Sequence, residues 1–413
     1  MRQVAGRPDG SIEVLNGHRP AGRSGHNLIA VAEEDLLPLP EEATLAHLPG
    51  RRPVAVDSDG TAVDVDGDWL AVAAILPVGH LRTLLPATRR EPGARRLPLF
   101  GYTAVVEHDG DLMCASLRTD SFEWWQPANF GRVDLPQAVE AARAALPGNR
   151  LVDHLAVCAL ENRCYTAQNT FHRRYEGALP ASPACNADCL GCISLQTDGA
   201  VPAPQERMRF APTADELVAL ADWHLRGHAT AMVSFGQGCE GEALTRDDAL
   251  VEATRRIREM HPGATIHINT NGSKPHILER LIDAGLNSVR ISAISFNDAV
   301  FRPYYRPLGY GLDEVVACGE LMHARGGQVC LNLLTFPGVT DVAEEIDATI
   351  RACRAMGVGQ VQWRSLNVDH DWLLDVLPTL PPGIGMRAAQ EAFGDGLPGV
   401  EHGNFTRPVF ATV

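Results

Sequence analysis

The sequence has little positive charge apart from arginine, and it has no long apolar run. A single lysine, Lys274, stands among 36 basic residues against 51 acidic ones, and the formal net charge is −15. An acidic chain without basic clusters argues against a surface for nucleic acid or anionic membranes. The longest apolar run, residues 69–81, is too short to cross a bilayer. Because the first residues lack the apolar core of a signal peptide, we expect a cytoplasmic protein that binds neither membrane nor nucleic acid.

Ten cysteines are dispersed along the chain, and three of them cluster. In a reducing compartment a close cluster favours a metal site over a disulfide. Cys185, Cys189 and Cys192 lie in PACNADCLGCISLQ at spacings of three and two, and no nearby Cys or His supplies a fourth ligand. A structural zinc site uses four protein ligands. Three thiolates can instead hold three irons of a four-iron, four-sulfur cube and leave the fourth iron open. Asn186 is expected to cap this turn through backbone N–H groups.

The chain divides near residue 180. Before it, apolar and polar residues alternate around the Asp66-Gly67 and Asp109-Gly110 turns, which predicts β-hairpins. Residues 135–146 and 150–169 then carry apolar residues at helical spacing. We therefore expect an accessory α+β domain, rich in strands, over residues 1–179.

From residue 213 the pattern alternates strand and helix. Thr213 and Glu216 have capping-box spacing at the first helix, and five predicted strands follow, in ATAMVSFGQ, TIHINTNG, SVRISAIS, QVCLNLLTF and VQWRSLN. Strands separated by helices require a parallel sheet with right-handed crossovers. With one more strand before the cysteines, this predicts an α/β fold: a partial (β/α)6 TIM-like barrel over residues 180–375. A C-terminal extension, residues 376–413, completes the chain.

The predicted strands carry polar residues on one face. Apolar residues such as Ile266 and Ile268 would pack under the helices, whereas the opposite faces would share one lumen and include His267, Asn269, Arg290, Ser292, Asn332 and Arg364. Unpaired buried polar groups cost about 1–3 kcal/mol each, so a tightly packed lumen would not tolerate them. We infer that the lumen holds a polar ligand, the alternative being edge strands with one face in water.

The cysteine spacing and the strands behind it resemble the radical S-adenosylmethionine (radical SAM) superfamily over residues 180–370. The resemblance implies a [4Fe-4S] cluster on Cys185, Cys189 and Cys192, with S-adenosyl-L-methionine bound at the open iron. It implies reductive cleavage of that cofactor and hydrogen abstraction from a substrate. It also implies a partner that donates electrons, such as flavodoxin or ferredoxin.

Further residues match the family pattern one by one. In GQGCEGEAL, Gly241 and Glu242 match a Gly-Gly-Glu-Pro-like motif that contacts the methionine amino group, although Ala243 replaces the proline. Gly191 stands before the third cysteine, where the family often has a bulky residue near adenine. The resemblance also implies cofactor contacts from three polar residues of the predicted strands and their ends: Asn271, Ser292 and Asn332.

The substrate is less defined than the cofactors. Arg364 and Tyr305 are candidate substrate contacts, with a rim ion pair and simple packing as the respective alternatives. Without a B12-domain pattern, a basic surface or a cysteine-rich C-terminal extension, a peptide or small natural product is the broadest class that fits. Two other functions stay open: an activase that places a radical on a partner protein, and a non-catalytic scaffold with a cysteine-ligated metal.

Two further expectations concern residues 1–179. Cys158 and Cys164, with Cys114 or Cys239, are a candidate second metal site. An open barrel must be sealed against water, so we expect this region to dock on the barrel and help to close the cavity. Trp124 and Trp125 are the candidate contact surface, the alternative being that they form the core of the small domain.

Overall fold

The computed structural model describes residues 1–229 and 231–409. Its N-terminal region consists of antiparallel strands in two sheets, with the order β10-β14-β13-β1-β9-β6 in one and β11-β3-β7-β12 in the other. The remaining strands pair at the side of these paths. The bounds are β1 (Arg2–Gly6), β2 (Ile12–Leu15), β3 (Arg19–Ser24), β4 (Asn27–Ala30), β5 (Leu36–Pro38), β6 (Thr44–Leu48), β7 (Arg51–Val56), β8 (Ala62–Asp64), β9 (Leu70–Ile75), β10 (His80–Arg82), β11 (Leu85–Pro86), β12 (Thr88–Arg90), β13 (Tyr102–His108) and β14 (Asp111–Arg118).

One of the two predicted hairpins is confirmed. His108 pairs with Asp111 across the two-residue turn Asp109-Gly110, whose φ angles of 52° and 98° suit the turn type that joins twisted strands. The hairpin predicted at Asp66-Gly67 is wrong. There β8 pairs back onto β7, while β9 pairs with β1, β6 and β13, so pairing with strands distant in sequence replaces the local hairpin.

Three helices follow the strands: α1 (Leu135–Ala145), α2 (Arg150–Leu160) and α3 (Tyr165–His172). Asn149 caps α2, because its side-chain oxygen accepts from the Leu151 amide at 3.0 Å. Within the described residues, no helix has the length and apolar character that crossing a membrane requires.

The rest of the chain forms one parallel sheet of seven strands in chain order. The predicted partial barrel is confirmed, with one strand more than the sequence predicts. Its strands are β15 (Glu176–Leu179), β16 (Met232–Phe235), β17 (Ile266–Thr270), β18 (Ser288–Ala293), β19 (Gln328–Thr335), β20 (Gln360–Ser365) and β21 (Glu401–Gly403). Its helices are α4 (Ala214–Leu225), α5 (Asp247–Met260), α6 (Pro275–Asp283), α7 (Asp298–Tyr305), α8 (Leu312–Ala324), α9 (Ala343–Ala355), α10 (His370–Val376) and α11 (Met386–Gly396).

The sheet extends beyond the predicted barrel, residues 180–375, at both ends. β15 begins at Glu176, before residue 180, and β21 comes from the last forty residues, where it pairs with β20. Thr213 and Glu216 form the predicted capping box at α4. The apolar residues Ile266, Ile268, Val289 and Ile291 of β17 and β18 are fully buried as expected, and the polar residues His267 and Ser288 are fully buried with them.

The N-terminal strands contact the barrel, as expected. Arg51 lies in a buried ion pair with Asp369 at 2.8 Å and with Asp371 at 2.7 Å. Arg82 donates to the carbonyl oxygen of Leu366 at 2.7 Å. These bonds join β7 and β10 to the segment that follows β20.

Trp124 and Trp125 are buried, and they also reach across to other parts of the chain. Trp124 stacks on Tyr175 with 4.5 Å between the ring centroids, and Trp125 stacks on Phe405 at 4.7 Å. Phe405 follows β21, so the pair serves both as a local core and as a contact with the end of the barrel. Both predictions for the two tryptophans, a contact with the barrel and a local core, therefore apply to one cluster.

Candidate active site

The cysteine loop, residues 183–196, follows β15 and is held by the end of α7. The amides of Asp188 and Leu190 donate to the carbonyl oxygens of Tyr305 and Tyr304 at 3.1 and 3.0 Å. The Leu308 amide donates to the carbonyl oxygen of Asn186 at 2.9 Å. These backbone bonds fix the loop against the end of α7 and the segment that follows it.

The three clustered thiols influence one another. Burial and the neighbouring thiols Cys192 and Cys185 raise the pKa of Cys189 well above its usual value. Three thiolates from one loop suit a cluster of several irons, since they leave one iron without a protein ligand.

One cation approaches this set of thiols. The Arg207 Nη2 donates to the Cys192 Sγ at 3.3 Å, and its Nε donates to the Ser194 hydroxyl at 3.1 Å. A guanidinium at this distance stabilises negative charge on sulfur. Sequence reasoning missed Arg207, because fifteen residues separate it from Cys192.

Gly241 and Glu242 lie directly against the start of the cysteine loop. Their amides donate to the carbonyl oxygens of Ser182 and Ala184 at 2.7 and 2.8 Å. A Cβ on Gly241 would lie 2.0 Å from the Ala184 oxygen, so only glycine allows this approach. The match to the family motif thus coincides with a backbone contact that places Glu242 near Cys185.

The Glu242 carboxylate joins this loop to the end of β17. It accepts from the Thr270 hydroxyl at 2.6 Å, the Asn271 amide at 2.8 Å and the Leu244 amide at 3.0 Å. Burial raises its pKa. The carboxylate is therefore fixed at the point where the cysteine loop, the Gly-Glu loop and the end of β17 meet.

Asn271 extends the same network to the cysteine loop. Its Nδ2 donates to the Asn186 Oδ1 at 3.0 Å, and the Ser273 hydroxyl donates to the same oxygen at 3.3 Å. The expected role of Asn186 as a cap of backbone N–H groups is wrong, since side chains after β17 satisfy its oxygen. Asn271 and Asn186 together hold the cysteine loop against β17.

A second glutamate, Glu240, was missed in the sequence. Its carboxylate accepts from the amides of Ala181, Ser182 and Gln237 at 2.7, 2.8 and 2.6 Å. Burial raises the pKa of Glu240 to about 7. The sequence signal for Glu240 is its place in the triplet Glu240-Gly241-Glu242. Both carboxylates are buried, although only Glu242 matches the family motif.

The lumen contains both bonded and unbonded polar groups. The Asn332 Nδ2 donates to the Ser292 hydroxyl at 2.9 Å, whereas the Asn332 Oδ1 is buried and has no partner among the described residues. Arg290 donates to the Gln362 Oε1 at 3.0 Å. The structure thus brings Ser292 and Asn332 together, one strand apart, and leaves an acceptor for a ligand.

A cavity of about 670 Å³ opens on this lumen between the barrel and the N-terminal strands. Arg290, Asn332, Arg364 and Glu176 line it from the barrel. The N-terminal strands contribute Ile75 and Thr103 and their flanking residues, and the cysteine loop contributes Gly191 and Ile193. Arg364 therefore lies in the cavity rather than in a rim ion pair, and its guanidinium lies 5.2 Å from the Phe405 ring centroid.

Tyr305 packs away from this cavity, and its neighbour Tyr304 lines it. Tyr305 is buried at the end of α7, and its hydroxyl has no partner among residues 1–229 and 231–409. The Tyr304 hydroxyl would lie 2.9 Å from a Cβ on Gly191. An aromatic side chain therefore fills the space beside the third cysteine, but it comes from α7 and not from the cysteine loop.

Two of the cysteines expected near a second metal site, Cys114 and Cys158, lie in different surroundings. Cys114 is buried within the N-terminal strands. Cys158 lies instead beside Cys239 and His154, whose hydrogen bonds lower the pKa of the Cys158 thiol to about 5. Sequence reasoning missed His154, although its spacing of four residues from Cys158 places both on one helix face.

Comparisons with known proteins give one family match and several distant structural similarities. Residues 179–353 match the model of the Radical SAM superfamily. Among solved structures, the chain is similar to methylornithine synthase (PylB) at 18% identity with a TM-score of 0.35, covering 56% of this chain and 67% of that one. A radical SAM methyltransferase from Sphaerobacter thermophilus gives 16% identity and a TM-score of 0.39, covering 56% and 65%. Streptococcus suis SuiB bound to precursor peptide SuiA gives 13% and 0.35, covering 52% and 43%.

No curated protein matches the chain. The family model covers the cysteine loop, the Gly-Glu loop and the strands from β16 to β19. The family implies a [4Fe-4S] cluster and S-adenosyl-L-methionine as cofactors, and a reductant and a substrate as partners. Residues 179–353 therefore form a domain of the Radical SAM superfamily, and the N-terminal region lies outside it.

Proposed function

We propose that this enzyme abstracts hydrogen from a small carboxylate-bearing substrate, or from one residue of a peptide, held in the cavity between the barrel lumen and the N-terminal strands. The observation that carries the proposal is the lining of that cavity. It joins Gly191, one residue from Cys192, to Arg290 and Arg364 in the lumen. A substrate there would lie beside the cofactors and away from bulk solvent.

The residues present fit the cofactors that the family implies. Cys185, Cys189 and Cys192 would hold the cluster, since their thiols lie near one another in a single loop. The bound cofactors supply a one-electron cleavage of a carbon–sulfur bond and a carbon radical that removes hydrogen. An electron donor such as flavodoxin or ferredoxin would supply the electron.

Polar side chains near the loop would bind S-adenosyl-L-methionine. Glu242, beside Gly241, provides a buried carboxylate for an amino group. Asn332 provides an unpartnered oxygen and Ser292 a hydroxyl from neighbouring strands, while Asn271 supports the cysteine loop from β17. These groups are fixed by hydrogen bonds to neighbouring loops, which suits binding without rearrangement.

The charge of the cavity favours a carboxylate on the substrate. The lining includes three arginines, Arg163, Arg290 and Arg364, and a single carboxylate, that of Glu176. Burial lowers the pKa of Arg364 to about 9, which leaves the group protonated at neutral pH. The size of the cavity falls within the range of about 300–1,000 Å³ for small-molecule sites. Because the N-terminal strands cover one side, a small substrate or a peptide end fits better than a folded partner protein.

The activity is tested by anaerobic reconstitution with iron and sulfide, followed by reduction and addition of S-adenosyl-L-methionine. We expect formation of 5′-deoxyadenosine and a change in the electron paramagnetic resonance signal of the reduced cluster on cofactor binding. Cys189→Ala should abolish both, whereas Cys353→Ala, a buried cysteine of α9 outside the site, should retain them. Equal cleavage by Cys189→Ala and the parent protein would refute the assignment.

The substrate class is tested by the rate of 5′-deoxyadenosine formation in the presence of amino acids and short peptides. Stimulation by carboxylate-bearing compounds should be lost in Arg364→Gln and kept in Arg255→Gln, whose side chain lies on the exposed face of α5. An equal response in both variants would remove Arg364 from the substrate site.

A further inference from the structure

A second group of metal-ligating side chains lies outside the cysteine loop. His154 and Cys158 are four residues apart on α2, and Cys239 lies in the loop that follows β16. One ligand atom from each residue lies within 4.8 Å of the others. These are the only three residues of the described chain, among His, Cys, Asp and Glu, whose ligand atoms converge in this way.

The surroundings of this group suit an ion better than a chance contact. Cys158 and Cys239 are 1% and 3% exposed. The His154 Nε2 is buried and has no hydrogen-bond partner among residues 1–229 and 231–409. A buried ring nitrogen without a partner is costly, and a metal ion would satisfy it together with both sulfur atoms.

The ligand set indicates the metal. Imidazole and thiolate ligands suit zinc, at about 2.0–2.1 Å from nitrogen and 2.3 Å from sulfur. Tetrahedral ligands at these distances lie roughly 3.5–3.8 Å apart, so the three side chains need only a small inward movement. The Cys164 amide donates to the carbonyl oxygen of Cys158 at 2.9 Å, so the Cys164 backbone lies next to the group, although its thiol is not one of the three converging ligands.

We propose that His154, Cys158 and Cys239 bind one zinc ion, separate from the cluster site at Cys185, Cys189 and Cys192. Cys164 is the candidate for the fourth ligand. The ion would connect α2 to the loop that carries Glu240, Gly241 and Glu242. It would therefore fix the position of the Gly-Glu loop from the side opposite to β17.

The experiment measures zinc and iron separately in the full-length protein. In the variant Cys185→Ala/Cys189→Ala/Cys192→Ala, iron should be lost while about one zinc per chain is retained. Adding His154→Ala, Cys158→Ser or Cys239→Ser to that variant should lower the zinc content at least about tenfold. Adding Cys353→Ser, a buried cysteine in α9, should leave it unchanged.

A second measurement covers the case in which the ligand variants fail to fold. Cobalt(II) added to the metal-stripped, otherwise unchanged chain should give thiolate charge-transfer bands and the strong visible bands of tetrahedral cobalt. Zinc should then displace the cobalt and remove these bands.

Three results would overturn the proposal. The first is zinc content that does not respond to the three ligand changes. The second is the absence of tetrahedral cobalt bands in the folded chain. The third is a disulfide between Cys158 and Cys239 in anaerobically purified protein, found by mass spectrometry. None of these results depends on cofactor cleavage, so the zinc proposal can fail while the proposed function stands.

Discussion

The N-terminal strands and the barrel bury their apolar residues in different ways. The barrel and α1–α3 share one continuous core, to which the N-terminal strands contribute Leu81, Leu85 and Leu117. The N-terminal strands contain separate small clusters, one of which consists of Leu48, Ala71, Ala73, Leu97 and Tyr102. Small separate cores stabilise a fold weakly. The strands therefore depend on contacts with the barrel, whereas α1–α3 belong to the core of the barrel itself.

The two regions also differ in where their buried polar side chains find hydrogen-bond partners. The barrel satisfies much of its lumen internally, as in the bond between His267 and Ser288 at 2.7 Å. The N-terminal strands instead direct Arg51 and Arg82 out of their own sheets into the segment after β20. Burial lowers the pKa of Arg82 to about 9. The contact between the regions is thus polar and specific, and it can be broken at single positions.

The most severe test removes one region. Residues 180–413 lack β15 and α1–α3, so the barrel loses an edge strand and part of its core. We expect this fragment to be insoluble or inactive. Residues 131–413 keep those elements and lose the N-terminal strands together with Trp124 and Trp125, so they should fold and bind the cluster but release 5′-deoxyadenosine without turning over substrate. A soluble 180–413 fragment with full turnover would contradict the inference that α1–α3 are part of the barrel core.

A smaller effect is expected from breaking the buried ion pair between the regions. Arg51→Ala leaves Asp369 and Asp371 buried without their cation. Removing one partner of a buried pair costs about 3–5 kcal/mol. Chemical denaturation should show this loss.

An exposed pair serves as the matched control for that change. Arg255→Ala on α5 removes an exposed arginine from Glu252 and Glu259 and should cost less than about 1 kcal/mol. Equal stability changes in Arg51→Ala and Arg255→Ala would show that the contact between the regions contributes nothing.

The third test concerns the barrel alone. Glu242→Ala removes a buried carboxylate that bonds Thr270 and the Asn271 amide. Hydrogen bonds to charged groups contribute about 1.5–3 kcal/mol, so affinity for S-adenosyl-L-methionine should fall roughly 10- to 100-fold. The cluster spectrum should be unchanged, because the cluster keeps its three cysteine ligands. Glu259→Ala on the exposed face of α5 is the control, and unchanged affinity in Glu242→Ala would exclude the residue from the site.

Local signals in the sequence predicted most of the barrel. Alternation and helical spacing are local properties, so β17 to β20 and their helices were found, as was the loop with Cys185, Cys189 and Cys192. β21 was missed because its three residues, Glu401–Gly403, carry no alternation of their own. It is a strand only because β20 offers an unpaired edge.

Contacts between distant residues were not predictable. Tyr304 fills the space beside Gly191, and Cys239 meets Cys158, although in both cases more than seventy residues separate the partners. In the same way, β9 pairs with β1 and not with its neighbour β8. Such contacts are decided by the packing of whole sheets and helices, which no short stretch of sequence encodes.

The smallest expected effect is a dependence of stability on pH that arises in the barrel. Burial lowers the pKa of His267, in the barrel lumen, from its usual value near 6.5 to about 3. The unfolded chain therefore binds a proton that the folded chain does not, and stability falls as pH decreases below about 6.5. At pH 6 the loss from this group is roughly 1 kcal/mol, and it grows on further acidification.

His267→Gln should weaken this pH dependence, because glutamine keeps polar atoms for Ser288 and Asn269 and takes up no proton. The melting temperature of parent and variant, measured between pH 7.5 and 5.5, gives the comparison. The variant should lose less on acidification than the parent. His276→Gln, a change at an exposed position of α6, should follow the parent. Parallel curves for His267→Gln and the parent would show that acid sensitivity arises elsewhere, and the polar contact between the N-terminal strands and the barrel would be the next place to test.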